Sequence, residues 1–317
     1  MFEVNEDWSL DESPRYFTLE DYEGGVARWC PGCGDLAILT AVQRICRDEQ
    51  LLPENTVCVS GIGCASRFPH YMKTYGFHGL HGRALPVACG IKARRPELAV
   101  WVATGDGDCC SIGAGHWVHA VRYNMDMVVM LFDNHVYGLT KNQTSPTSPM
   151  GFVSNTHPGG APLPPLNPIS ATLGFTNLSF VAQTVDWNPA HLHATLLEAY
   201  HHKGFSFVRI MQRCPTYTAG FYEEHVKDPS RMLLLTHENG VKLDAAVEGS
   251  FPNRRAHDPS DLAGARALAE QDEPLPIGIF FRDPARPRYE DLASQGLQMS
   301  PEEKLEAVNR ELDRFLV

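Results

Sequence analysis

Two sets of residues in this 317-residue chain carry the chemistry that its composition does not. The first is a set of cysteines next to chain-bending residues: Cys30 and Cys33 bracket Pro-Gly in WCPGCGD, Cys64 sits in GIGCASR and Cys214 in RCPTY. Four thiolates contributed from loops can bind a [4Fe-4S] cluster or a structural zinc, and their spacing alone does not choose between them. The second set is Gly105-Asp106-Gly107-Asp108 and Asp133-Asn134. A carboxylate, an amide oxygen and a nearby backbone carbonyl are hard ligands suited to Mg²⁺, which completes its octahedral shell with phosphate oxygens and water. Flanking glycines let backbone amides approach such phosphates closely.

Both sets need strand ends to hold them. Thr56 to Ser60, Leu98 to Thr104, Met127 to Phe132 and Phe205 to Met211 are short apolar runs rich in Val, Ile, Leu and Phe and read as strands. Asp35 to Arg47, Ser111 to Tyr123 and His191 to His201 read as helices between them. Continuous apolar strands separated by helices predict an α/β fold, a mostly parallel sheet with helices on both faces. If the helix from Ser111 crosses between two parallel strands, Asp106 and Asn134 emerge at the same carboxyl edge.

The segment Thr144 to Pro168, rich in Pro, Ser, Thr and Gly, reads as a long surface loop, of a length that is often functional. Two parts are expected: residues 1–222 as the core domain, and residues 223–317 as an extension packing on that core or on a partner. In the extension, Ser300 as N-cap, Pro301 at the first helical position and Glu303 predict a capped helix with Leu305, Val308, Leu312 and Leu316 on one face. The expected home of that stripe is the chain's own core, with a partner subunit as the alternative.

A net charge of −11, from 27 basic and 38 acidic residues, excludes a broad nucleic-acid footprint. Arg94-Arg95 and Arg254-Arg255 are the local basic exceptions. No stretch approaches the roughly 20 apolar residues of a membrane span. The acidic start MFEVNEDWSLDE lacks the apolar run of a secretory signal, and an odd count of nine cysteines argues against a disulfide framework, so a reducing, cytoplasmic location is expected.

The pairing of GDG with an Asn-containing turn one βα unit later resembles thiamine diphosphate enzymes. Taken with WCPGCGD, GIGCAS, His81 to Ile91 and the run Asp133 to Pro149, the chain from about Val26 to Pro215 resembles the β subunit of 2-oxoacid:ferredoxin oxidoreductases. The resemblance implies that Asp106, the Asn134 side chain and the Val136 carbonyl hold Mg²⁺, and that Cys30, Cys33, Cys64 and Cys214 hold one [4Fe-4S] cluster. The family often has Asn-Asn where this chain has Asp133-Asn134, and the second position is the ligand. It further implies that Ile62, Gly63, Cys64 and Ala65 line the thiamine diphosphate, with Gly105, Gly107, Asp108 and the backbones of Cys109 and Cys110 beside the phosphates. His81, Gly82, Arg83 and Ala84 are placed near the entrance, a surface turn being the alternative. Tyr137, Gly138, Leu139 and Thr140 continue the Mg²⁺ loop. Lys141 is the candidate catalytic residue, its ammonium meeting a substrate carboxylate unless it is simply solvated.

The activity so implied is oxidative decarboxylation of a 2-oxoacid with coenzyme A, giving acyl-CoA and CO₂, with electrons leaving through the cluster to ferredoxin; the reverse carboxylation uses the same groups. Lys141 and the look of WCPGCGD and GLTKNQTSPTSP resemble bacterial 2-oxoglutarate enzymes more than pyruvate enzymes, which favours 2-oxoglutarate, with pyruvate or broad specificity as the alternative. No second α/β unit is present to supply the Glu that activates the aminopyrimidine, so a partner α subunit is expected, in an αβ heterodimer or a dimer of heterodimers. Competing readings are a non-redox thiamine decarboxylase or synthase with structural zinc, and a scaffold subunit without chemistry.

Overall fold

The computed structural model describes residues 16–293 and 299–315, so the acidic start lies outside the described residues. Eleven strands are present among them: β1 (Thr56–Ser60), β2 (Tyr75–His78), β3 (Ala99–Gly105), β4 (Met127–Asp133), β5 (Val136–Tyr137), β6 (Gln143–Thr144), β7 (Phe180–Val185), β8 (Phe205–Met211), β9 (Met232–Thr236), β10 (Asn253–Ala256) and β11 (Leu275–Arg282). Nine form one sheet in the order β10-β9-β11-β7-β8-β4-β3-β1-β2, and β5 pairs with β6 as a separate ribbon. Every pairing in the large sheet is parallel except β11 with β7.

Parallel strands buried on both faces are largely apolar, and β1, β4 and β8 are buried at every position, with Arg209 of β8 a charged exception. Helices α1 (Asp35–Asp48), α2 (Ala84–Arg94), α3 (Ala114–Tyr123), α4 (Pro168–Leu173) and α5 (Pro189–His201) cover the sheet. One core cluster joins Trp117, Val121, Val129 and Phe207; another joins Ile38, Val42, Trp101, Leu192 and Val208. Because α3 connects the adjacent parallel strands β3 and β4, Asp106 and Asn134 leave the sheet at the same edge. The segments after β1 and β8, which carry Cys64 and Cys214, leave there too.

Three expectations need correction. The helix expected from Ser111 is two elements: a wide π-turn over Asp108–Ile112, closed by Gly113 N donating to the Asp108 carbonyl at 3.2 Å, and then α3. A side chain at Gly113 would put a Cβ 2.5 Å from that carbonyl, so the turn requires glycine there. The segment expected only to pack on the core or a partner joins the sheet: β9, β10 and β11 continue it beyond β7, and β11 pairs with β7 antiparallel. The C-terminal helix forms over Pro301–Asp313 with the expected Ser300–Glu303 capping box. Its apolar stripe does not dock on the chain's own core: Leu305, Val308 and Leu312 are exposed. Leu316 lies outside the described residues.

The central strands are tied across by a buried ion pair. Arg209 in β8 stands opposite Leu131 of β4 and Gln183 of β7. Its guanidinium grips the Asp133 Oδ2 at 2.7 and 2.6 Å and donates to Gln183 Oε1 at 3.1 Å. Removing one partner of a buried pair strands the other charge. Arg209→Met should therefore lower the unfolding free energy by about 3–5 kcal/mol in urea titration, and adding Asp133→Asn should restore part of that loss.

Candidate active site

A cavity of about 350 Å³ opens at the carboxyl edge of β1, β3 and β4. The segment after β1 contributes Ile62, Gly63, Cys64 and Ala65, and that after β3 contributes Gly105, Asp106, Gly107 and Asp108. From beyond β4 come Asn134, Val136, Tyr137, Gly138, Leu139 and Thr140, and His81 completes the wall. Most of the expected cofactor-binding residues therefore share one cavity.

The exceptions are informative. Gly82, Arg83 and Ala84 do not line it: Gly82 N donates to Asp108 Oδ1 at 2.7 Å, Arg83 reaches the Ile112 carbonyl, and Ala84 starts α2 in the core. Cys109 and Cys110 are buried in the core cluster behind the π-turn and do not line the cavity either. Lys141 is exposed, with φ of +70°, and stands outside the lining.

Glycine is required where loops close on one another. A Cβ at Gly107 would lie 2.1 Å from the Tyr137 ring, whose hydroxyl donates to the Gly107 carbonyl at 2.9 Å. Gly63 has φ of +127° with open space beside it, so its backbone is bared to the cavity.

Asp106 is buried, and Ser145 and Thr147 hold its Oδ2 at 2.5 and 2.6 Å. Thr147 Oγ1 also lies 2.7 Å from Asp133 Oδ1, yet a hydroxyl has one proton to give. Burial and the neighbouring Asp133 carboxylate push Asp106 up to about 7. Burial works against Asp133 as well, but Arg209 and His135 hold it below the usual carboxylate range. A carboxylate so placed beside an amide oxygen and bare glycine backbone suits a divalent cation carrying a diphosphate. Asn134 Oδ1 accepts from Val136 N at 3.1 Å, which turns the chain so that both residues face the cavity.

Sequence reasoning did not single out Ser145 and Thr147, which it left inside a surface loop. Both are buried, as is Ser148, whose Oγ donates to the His135 carbonyl at 2.6 Å. Gln143 and Phe132 also line the cavity unforeseen; Thr140 Oγ1 donates to Gln143 Oε1 at 2.5 Å. The usable signal was the density of hydroxyls in QTSPTSP directly after the expected cation loop.

The cysteines gather beside the cavity. Burial pushes Cys64 up to about 12, with Asp35, Cys214 and Cys30 adding their charges; burial also raises Cys33, with Asp35, Cys64 and Cys214 contributing. Gln212 Nε2 donates to Cys33 Sγ at 3.3 Å, and Thr216 Oγ1 to Cys30 Sγ at 3.4 Å. Trp29 Nε1 holds the Cys64 carbonyl at 2.7 Å. Four thiols from three loops, with hydrogen-bond donors aimed at two of the sulfurs, match the donor chemistry of an iron–sulfur site. Among the described residues no group of three or more His, Cys, Asp or Glu side chains has closed into metal-binding geometry. Cys46 and Cys58 are buried core residues, as expected of small hydrophobes.

Residues 61–210 match the thiamine pyrophosphate enzyme C-terminal TPP binding domain, and residues 250–296 match the C-terminal family of the pyruvate ferredoxin oxidoreductase beta chain. The 2-oxoglutarate oxidoreductase subunit KorB of Mycobacterium tuberculosis is 36% identical over 290 residues, covering 84% of this chain and 78% of that protein. A 2-oxoacid:ferredoxin oxidoreductase subunit beta of Sulfolobus is 37% identical, covering 83% of this chain and 84% of its own. Among solved structures, 2-oxoglutarate:ferredoxin oxidoreductase from Magnetococcus marinus, with 2-oxoglutarate, coenzyme A and succinyl-CoA bound, superimposes with a TM-score of 0.77 at 34% identity over 92% of this chain and 96% of that one. With a cavity of this make-up at the sheet edge and relatives alike over most of their length, the chain belongs to the family of 2-oxoacid:ferredoxin oxidoreductase β subunits.

Proposed function

We propose that this chain is the Mg²⁺–thiamine diphosphate half of an enzyme that oxidatively decarboxylates a 2-oxoacid, with 2-oxoglutarate favoured, and transfers the acyl group to coenzyme A. The observation that carries this reading is one cavity lined by Asp106, Asn134 and Val136, with Cys64 of the thiol cluster in the same wall. When bound, thiamine diphosphate supplies a nucleophilic carbon for the 2-oxo group and takes up the electron pair released with CO₂. Asp106, the Asn134 amide oxygen and the Val136 carbonyl would hold Mg²⁺, and bare backbone at Gly105 and Gly107 would receive the diphosphate. Cys30, Cys33, Cys64 and Cys214 would hold a [4Fe-4S] cluster, which supplies one-electron chemistry toward ferredoxin.

The chain's own residues do the rest. Ser145 and Thr147 aim the Asp106 carboxylate, while Tyr137 braces the GDG turn through the Gly107 carbonyl. Lys141, outside the cavity wall on an exposed turn, would meet the substrate carboxylate at the mouth. A partner α subunit would supply the Glu that activates the aminopyrimidine and close the open side. The printed names of the M. tuberculosis relative and of the M. marinus complex support 2-oxoglutarate as the substrate.

The primary test is an anaerobic spectrum of the chain copurified with its partner, before and after 2-oxoglutarate and coenzyme A. Bleaching of the cluster band with about four iron atoms per chain supports the reading; zinc in place of iron would sink it. Asp106→Ala should weaken Mg²⁺-dependent thiamine diphosphate binding by calorimetry by at least about 100-fold, since even outer partners of metal ligands are worth about 10–100-fold. Unchanged affinity would refute the ligand assignment. Cys214→Ala should lower the iron count and alter the spectrum of the reduced cluster, whereas a full complement of iron would show that the fourth ligand lies elsewhere.

A further inference from the structure

Asp108 stands two residues beyond the proposed cation ligand, yet its carboxylate serves another set of groups. It is 2% exposed and accepts four hydrogen bonds from three parts of the chain: Thr104 Oγ1 at 2.8 Å on Oδ2, and Ile62 N at 3.2 Å, Gly82 N at 2.7 Å and His81 Nδ1 at 2.5 Å on Oδ1. The backbone is shaped for this convergence. A Cβ at Gly61 would fall 2.1 Å from Asp108 Oδ2, and Gly82, with φ of +70°, would place one 2.6 Å from Gly113 N.

The orientation of His81 follows. An ionised carboxylate only accepts, so Nδ1 carries the ring proton that faces Asp108. Nδ1 is thereby spent, and Nε2 is the ring nitrogen left for the cavity that His81 lines. The Tyr137 ring, 5.9 Å away and edge-on, limits its swing from the opposite wall. With Nδ1 bonded to Asp108, the imidazole leaves Nε2 at the half-exposed lip of the cavity.

Resting on the function proposed above, we infer that His81 is a catalytic base for the acyl-accepting thiol and that Asp108 is its positioning residue. Stoichiometry releases a proton that such a group can take. A 2-oxoacid anion, a thiol and two one-electron acceptors become a thioester, CO₂, two reduced acceptors and one proton. The 2-oxoacid anion has only acceptor oxygens around its reacting carbon, whereas the thiol brings the proton that must leave. In the acyl-transfer step the sulfur would bond to the acyl carbon, the carrier of the acyl group would leave with the electron pair of the bond it gives up, and the S–H proton would pass to Nε2 and then to water. The two electrons have gone to the ferredoxin-type acceptor, so this step needs no further oxidant.

The test uses the complete enzyme with its partner subunit and times two stages by rapid quench: 2-oxoglutarate consumption without coenzyme A, and thioester formation after coenzyme A is added. His81→Gln should slow the thiol stage about 100-fold more than the thiol-free stage, within the range of general-base contributions. Free imidazole should restore thioester formation in His81→Gly. Asp108→Asn should slow the same stage, and the double variant should lose no more than His81→Gln alone, as expected of residues acting as one unit. Independently of turnover, ¹⁵N-histidine spectra of the complex should report His81 protonated at Nδ1 and bare at Nε2, with Nε2 shifting when coenzyme A is added. Equal slowing of both stages, additive losses, or a proton on Nε2 would overturn the assignment. A wild-type enzyme that forms no thioester would overturn the parent function itself, whereas a competent wild type with an indifferent His81→Gln would overturn the dyad alone.

Discussion

Three carboxylates, Asp106, Asp108 and Asp133, are buried at the ends of two neighbouring strands, and the architecture around them is set by how each is compensated. Burying an ionised carboxylate costs several kcal/mol unless charge or donors replace the lost water. Asp133 has the Arg209 guanidinium. Asp108 has two backbone amides, a threonine hydroxyl and an imidazole. Asp106 has two hydroxyls, one of them shared with Asp133, and the Gly107 backbone amide, but no cation, and so is the carboxylate left short of positive charge.

That unequal compensation gives each residue its job. The Asp133–Arg209 pair fastens β4 to β8 and fixes the direction in which Asn134 leaves the sheet. Asp108 draws the loops after β1 and before α2 onto the GDG turn, which closes one wall of the cavity. Asp106 faces the space where a divalent cation would complete its environment. Thr147 connects two of the three, since its hydroxyl touches Asp106 and Asp133, and its carbonyl accepts from His135 Nδ1 at 2.7 Å.

The molecule also carries surfaces that the site does not use. Leu305, Val308 and Leu312 on the C-terminal helix are exposed, as are Tyr75 and Phe77 on the edge strand β2. Of the basic pairs, Arg95 is joined to Glu97 and Arg254 to Glu248, while Arg255 donates to Gln271, so neither pair stands as a block of unopposed charge. Among the described residues no helix is long and apolar enough to cross a membrane.

How much was legible in the residues themselves depended on how local the determining physics was. Runs such as Met127 to Phe132 and Phe205 to Met211 read as strands buried on both faces from their length and apolar content, and GDG and Asp-Asn at their ends pointed to a hard-cation site. The Ser300–Glu303 capping box likewise formed as read, because its hydrogen bonds span three residues. Strands β9 to β11 were illegible, because their short runs gain a partner only when the chain returns to the edge of β7. The thiols came together beside the cavity through the topology of three loops, and the outward-facing C-terminal stripe could not be told from an inward-facing one by periodicity. Residue types and spacing thus determined which groups could do chemistry and on which sheet edge they emerge, since strand and turn preferences act within a few residues. Only the tertiary structure decided that Asp108 turns to His81 while Asp106 faces the cavity. That choice depends on which amides and hydroxyls distant loops bring within about 3 Å of a carboxylate buried beyond the reach of water.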